Sequence, residues 1–139
     1  MISDPFFNFN RCYERLVEDY KKHNSLLVAF DYDNTIYDYH KKGYQFNEVI
    51  NLLRRCQALE FTLILFTSNE GDDLTKAVDY VTNQLNIKGF YVNESPINNN
   101  RKPYFNILLD DRAGLGTSYA LLYRLLNEIH TKEIEKDSK

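Results

Sequence analysis

Four short apolar runs, at residues 26–30, 61–66 (with Thr62 within it), 90–92 and 107–109, set the tightest limit on what this chain can fold into. None shows a long polar/apolar alternation, the pattern of a sheet with one wet face. Continuous runs of this length fit strands covered on both faces, as in a parallel sheet packed between helices. Helical spacing fills the gaps. Phe6, Phe9, Tyr13, Leu16, Val17 and Tyr20 fall on one face of an N-terminal helix, and Pro5 suits its start. Phe46, Val49, Ile50, Leu53 and Cys56 mark a second helix, and Leu74, Ala77, Val78, Val81 and Leu85 a third, with Gly89 soon after it. Leu121, Leu122, Leu125, Leu126 and Ile129 mark the last.

The order helix, strand, helix, strand, helix, strand, loop, strand, helix predicts an α/β three-layer sandwich with a mainly parallel, Rossmann-like sheet. At 139 residues the chain suits one domain: an N-terminal helical extension over residues 1–25, a core over 26–130 and a fraying polar tail over 131–139. The net charge of −3 gives no footprint for a generic polyanion binder. No apolar stretch reaches membrane-spanning length, and the start lacks the pattern of a signal peptide. The two cysteines, Cys12 and Cys56, lie far apart on apolar helix faces and read as buried thiols, not as a disulfide or zinc site. A reducing, cytoplasm-like compartment is expected. Oligomeric state is not legible here.

In a parallel sheet of this kind, ligands bind beyond the carboxyl ends of the strands. The residues just after Phe30, Phe66, Val92 and Leu109 are therefore the ones to search. After the first strand stands Asp31-Tyr32-Asp33-Asn34-Thr35. Two carboxylates directly after a buried strand are costly unless a cation or hydrogen bonds compensate them; the plain alternative is an Asp-rich turn bent by Asn34. After the second stands Thr67-Ser68-Asn69, a hydroxyl ahead of free N–H groups at a helix start, hence an anion site or an ordinary helix cap. After the fourth stands Asp110-Asp111-Arg112-Ala113-Gly114, a second acidic pair. Facing the first pair, it would need a divalent cation, and oxygen donors favour Mg²⁺ over Zn²⁺. The alternative is a solvated acidic loop with Arg112 as its counter-charge.

Taken together and in order, Asp31-x-Asp33-x-Thr35, Thr67 and Asp110-Asp111 resemble the first, second and fourth motifs of the haloacid dehalogenase superfamily. The resemblance spans roughly residues 26–116. The superfamily's third motif is a Lys or Arg, best matched by Lys102 ahead of Pro103, with Arg101 as the substitute. The match is irregular, because no helix separates Lys102 from the fourth strand. At ~3.3 Å per extended residue, Lys102 can lie more than ~15 Å along the chain from Asp110.

The resemblance implies a Mg²⁺-dependent phosphatase. Asp31 would attack phosphorus and form an aspartyl-phosphate; Asp33 would protonate the leaving oxygen and then activate water. Mg²⁺ would be held by Asp31, Asp33 through its backbone carbonyl, and Asp110, with Asp111 as direct or outer ligand. Thr67, Ser68 and Asn69 with Lys102 would hold the phosphoryl oxygens. Dehalogenases generally lack the second aspartate, so Asp33 argues against that branch. A phosphotransferase and a non-catalytic phosphate- or protein-binding module on the same fold are the alternatives. Segments 36–45 and 94–101 are too short for a separate cap domain, so an open site is expected. It would carry a small flap with Tyr37, Tyr39, His40, Lys41, Lys42 and Tyr44. An open mouth of this kind suits a bulky substrate such as a nucleic-acid end or a phosphoprotein; Tyr rings beside lysines, free to stack on a base and meet a phosphate, favour a nucleotide or a nucleic-acid end.

Overall fold

Residues 3–98, 100–132 and 134 are described by a computed structural model. The central sheet has four parallel strands in the order β3-β2-β1-β4: β1 Leu27–Asp31, β2 Thr62–Phe66, β3 Tyr91–Val92 and β4 Ile107–Leu109. Helices α1 Phe9–His23, α2 Asn47–Ala58, α3 Gly71–Asp79 and α4 Leu115–His130 fill the intervals expected for them. This is the Rossmann-like parallel α/β arrangement that the apolar runs predicted. No helix among the described residues is long and apolar enough to cross a membrane.

The pleat sorts the strand residues. Val28, Phe30, Leu63, Leu65, Ile107 and Leu109 share one face and join the main core with residues of all four helices. Ala29 and Ile64 point the other way and are fully buried too. On that second face Phe66 meets Phe105 edge-on at 5.7 Å, and Leu27 lines a cavity with Ile97 and Tyr104. The irregular connection between β3 and β4 thus runs across the sheet there and forms its outer layer.

The N-terminal helix is shorter than its apolar spacing suggested. Pro5 opens a 3₁₀ turn, Pro5–Phe7, and the chain is extended at Asn8, whose side chain accepts from Arg11 N–H to cap α1. That break takes Phe6 out of helical register. Phe6 and Phe9 remain 48% and 39% exposed, while Tyr13, Leu16 and Tyr20 are buried. The third helix widens after Asp79 into a π-helical turn, Tyr80–Gln84. Cys56 is buried, which pushes its thiol up to about 12, whereas Cys12 is half-buried and donates to Phe6 O at 3.1 Å. Of the tail expected to fray, Ile134 is buried; apart from Thr131 and Lys132, the rest lies outside the described residues.

Candidate active site

Strand β1 is followed in sequence by α2 and β2 on one side, while β4 returns to its other side. The two strands therefore flank the point where strand order reverses, the usual ligand position in such sheets. Register then sets the chemistry: Phe30 pairs with Leu109, so Asp31 and Asp110 come next on adjacent strands. Carboxylate oxygens of Asp31, Asp110 and Asp111 lie within 4.8 Å of one another. Three hard oxygen donors at this spacing are an arrangement able to hold a divalent cation such as Mg²⁺.

Electrostatics agree with the geometry. The carboxyl of Asp31 is pushed up to about 7, first by burial and then by the hydrogen bond with Asp111 and the charge of Asp110; the Thr35 hydroxyl works in the opposite direction. Thr35 is fully buried, with Oγ1 3.1 Å from Asp31 Oδ2 and 3.3 Å from Asp111 Oδ1. Asp33 stands outside the carboxylate triad. Burial, and then the charge of Asp111, raise its pKa. The turn carrying it is tight: Asn34 adopts φ 61° and its N–H donates to Tyr37 O at 2.8 Å.

Asp31 opens onto a cavity of about 450 Å³. Phe66, Thr67 and Ser68 form one wall of it, and Asn93, Arg101 and Pro103 line it as well. The ordinary cap reading of Thr67-Ser68-Asn69 is not what forms. Helix α3 starts at Gly71 with no side-chain cap, and Thr67 Oγ1 accepts instead from Asn69 N–H at 3.1 Å. The Arg112 guanidinium forms no ion pair with the acidic pair among the described residues; Arg112 meets Asp110 Oδ1 through its backbone N–H at 2.9 Å.

Of the two cations expected near the phosphate, both exposed, Arg101 lines the cavity and Lys102 lines no part of it. The backbone bends at Arg101 and Lys102, and Arg101 and Pro103 both line the cavity. The connection can bring Arg101 to Asp31 because it crosses the sheet face on which Leu27, Ala29 and Asp31 lie. Asn93 was missed altogether, although the search just past Val92 pointed to it.

The flap folds on itself and away from this cavity. Asp38 accepts from the N–H groups of Lys42, Gly43 and Tyr44 at 3.2, 2.8 and 3.1 Å, with Gly43 at φ 81°. Tyr37 stacks on Tyr32 at 4.8 Å and meets Tyr80 edge-on at 5.3 Å, while Lys41 Nζ donates to its hydroxyl. Tyr37 and Tyr44 line a separate cavity of about 410 Å³, which shares no residue with the one at Asp31. Tyr39 and Tyr44 are more than half exposed.

No family model and no curated protein matches the chain. Among solved structures, it resembles a conserved protein coded by a locus of Bacteroides thetaiotaomicron, with a TM-score of 0.61 and 22% identity. The match covers 83% of this chain and 100% of the other, and at this identity it establishes the fold alone.

Proposed function

We propose that the chain is a Mg²⁺-dependent phosphatase of the haloacid dehalogenase type, with Asp31 as nucleophile. The observation that carries this reading is the convergence of the Asp31, Asp110 and Asp111 carboxylates beside a cavity that also holds Thr67, Ser68 and Arg101. Metal-binding carboxylates and phosphate-binding groups thus meet around one candidate nucleophile.

In this reading Asp31, Asp110 and Asp111 hold Mg²⁺, together with the backbone carbonyl of Asp33. When bound, the ion screens the negative charges of nucleophile and phosphate from each other. Asp31 attacks phosphorus and the ester oxygen leaves, taking a proton from Asp33, whose raised pKa suits an acid. Asp33 then takes a proton from the water that attacks the aspartyl-phosphate, releasing inorganic phosphate and restoring Asp31. The Thr67 hydroxyl, the Ser68 N–H and the Arg101 guanidinium hold the phosphoryl oxygens as charge spreads over them.

The substrate class we favour is a phosphomonoester with a large leaving group, a nucleotide or nucleic-acid end, because segments 36–45 and 94–101 provide no cap domain. Stacking by Tyr37 is no longer part of that reading, since Tyr32 and Tyr80 already engage its ring. Free thiols at Cys12 and Cys56 support a reducing, cytoplasm-like setting. The test is release of phosphate from para-nitrophenyl phosphate and from a panel of nucleotides, sugar phosphates and 5′- or 3′-phosphorylated oligonucleotides, with Mg²⁺ and with EDTA. Mg²⁺-dependent turnover is expected; absence of turnover across the panel sinks the reading in favour of a non-catalytic module.

A further inference from the structure

Asn93 follows β3 and sits beside the end of β2. Its backbone N–H donates to Leu65 O at 2.8 Å, the last rung between these strands. At φ 54° the backbone then leaves the ladder, in a left-handed conformation that Asn adopts more readily than most residues. The side chain carries the pairing one step further. Asn93 Oδ1 accepts from Thr67 N–H at 2.9 Å, and Asn93 Nδ2 donates to Thr67 O at 2.9 Å. One carboxamide makes both bonds of a neighbouring strand residue, so Thr67 is held as though the sheet continued past Phe66.

That clamp decides what the turn offers a ligand. Thr67 Oγ1 accepts from Asn69 N–H, which occupies a lone pair and leaves the hydroxyl hydrogen free to donate into the cavity. Thr67 N–H and Asn69 N–H are both taken. Of the Thr67, Ser68 and Asn69 amides, the Ser68 N–H is then the one with no protein partner among the described residues. Asn93 itself lines the same cavity, with Arg101.

We propose that Asn93 is the positioning residue of the phosphate-binding turn, holding Thr67 so that its hydroxyl and the Ser68 N–H meet a phosphoryl group together. This role rests on the phosphatase reading above and deepens it. Asn93→Gly is the cleanest probe, because Gly takes φ 54° without strain while the side chain that carries the carboxamide is removed. Asn93→Asp keeps the acceptor but sets a carboxylate oxygen against Thr67 O.

The experiment reads three quantities on the full chain: amide hydrogen exchange at Thr67, inhibition of para-nitrophenyl phosphate turnover by inorganic phosphate, and the Mg²⁺ concentration for half-activity. In Asn93→Gly, exchange at Thr67 should quicken and phosphate inhibition should weaken by about tenfold or more, with Mg²⁺ half-saturation held within about twofold. Faster exchange with unchanged phosphate inhibition overturns the role, as does unchanged exchange. Phosphate and Mg²⁺ weakening in parallel overturns it as well, since that is general loosening. Should Asn93→Gly not fold, Asn93→Asp is read against the same outcomes. A wild type that neither turns over phosphate esters nor binds inorganic phosphate removes the phosphatase reading and this role with it. An active wild type with an unaffected variant removes the role alone.

Discussion

The hydroxyl oxygen of Thr35 accepts a hydrogen bond from the backbone N–H of Asp111 at 3.0 Å, joining the turn after β1 to the turn after β4. The same hydroxyl stands within reach of the Asp31 and Asp111 carboxylates and donates to one of them at a time. Thr35→Val keeps the shape but leaves the Asp111 N–H without its partner and both carboxylates without the donor. Stability should fall by about 1–3 kcal/mol in urea titration, and Mg²⁺ affinity should fall with it. Thr35→Ser should recover most of both; a Thr35→Val protein that binds Mg²⁺ like the wild type contradicts the link.

Protons and Mg²⁺ compete for the same carboxylates, and the direction follows from Asp31. Its folded-state pKa of about 7 lies above the usual 3.8, so between those values the metal-free folded protein binds more protons than the unfolded chain. The stability this group contributes is fully present below 3.8 and is lost as pH rises through about 7; Asp33 shifts the same way. Mg²⁺ needs the ionised carboxylates, so it should restore what deprotonation removes. Thermal unfolding with and without Mg²⁺, from about pH 5 to about pH 8, should show a stabilisation that grows with pH. A Mg²⁺ effect of constant size across that span contradicts the shared site.

Arg101 and Lys102 separate cleanly. Arg101→Ala should lower kcat/KM by roughly ten- to a hundredfold, the loss of charge-assisted bonds worth about 1.5–3 kcal/mol. Lys102→Ala should stay within about twofold, as expected of an exposed cation away from the ligand. Steady-state kinetics on para-nitrophenyl phosphate reads both, and the reverse ranking returns the role to Lys102.

Asp33→Asn should depend on the leaving group. Alkyl phosphates, whose leaving oxygen needs a proton, should lose about 10²–10⁴ in rate, and para-nitrophenyl phosphate much less. Equal losses on substrates of widely different leaving-group pKa remove Asp33 as the acid.

The sheet was legible because strands buried on both faces are apolar at nearly every position, as residues 26–30 and, but for Thr62, 61–66 are. Asp31 and the Asp110–Asp111 pair were legible for a related reason: carboxylates directly after such strands need an explanation. Other features were not. The break at Asn8 that leaves Phe6 outside α1 has one local mark, the helix-capping character of Asn8 itself, and the apolar stripe hides it by reading the same through a single extended residue. The choice between Arg101 and Lys102 turns on how the connection between β3 and β4 bends as it crosses the sheet. Asn93 depends on lateral pairing between β2 and β3, and the order of residues along the chain carries no record of which strands are neighbours. Tyr37 looked like a free ring because its partners, Tyr32 and Tyr80, are recognisable only once the turn and the π-helical segment are in place.

The central claim is that Asp31 is the nucleophile, and the most direct measurement is Mg²⁺-dependent phosphate release by Asp31→Asn beside the wild type. The amide mimics the protonated carboxyl that the fold already favours, so the variant should fold and, without Mg²⁺ near pH 8, melt no lower than the wild type. The account predicts a fall in turnover of about three orders of magnitude or more in that folded protein. Turnover near the wild-type rate from Asp31→Asn would contradict it.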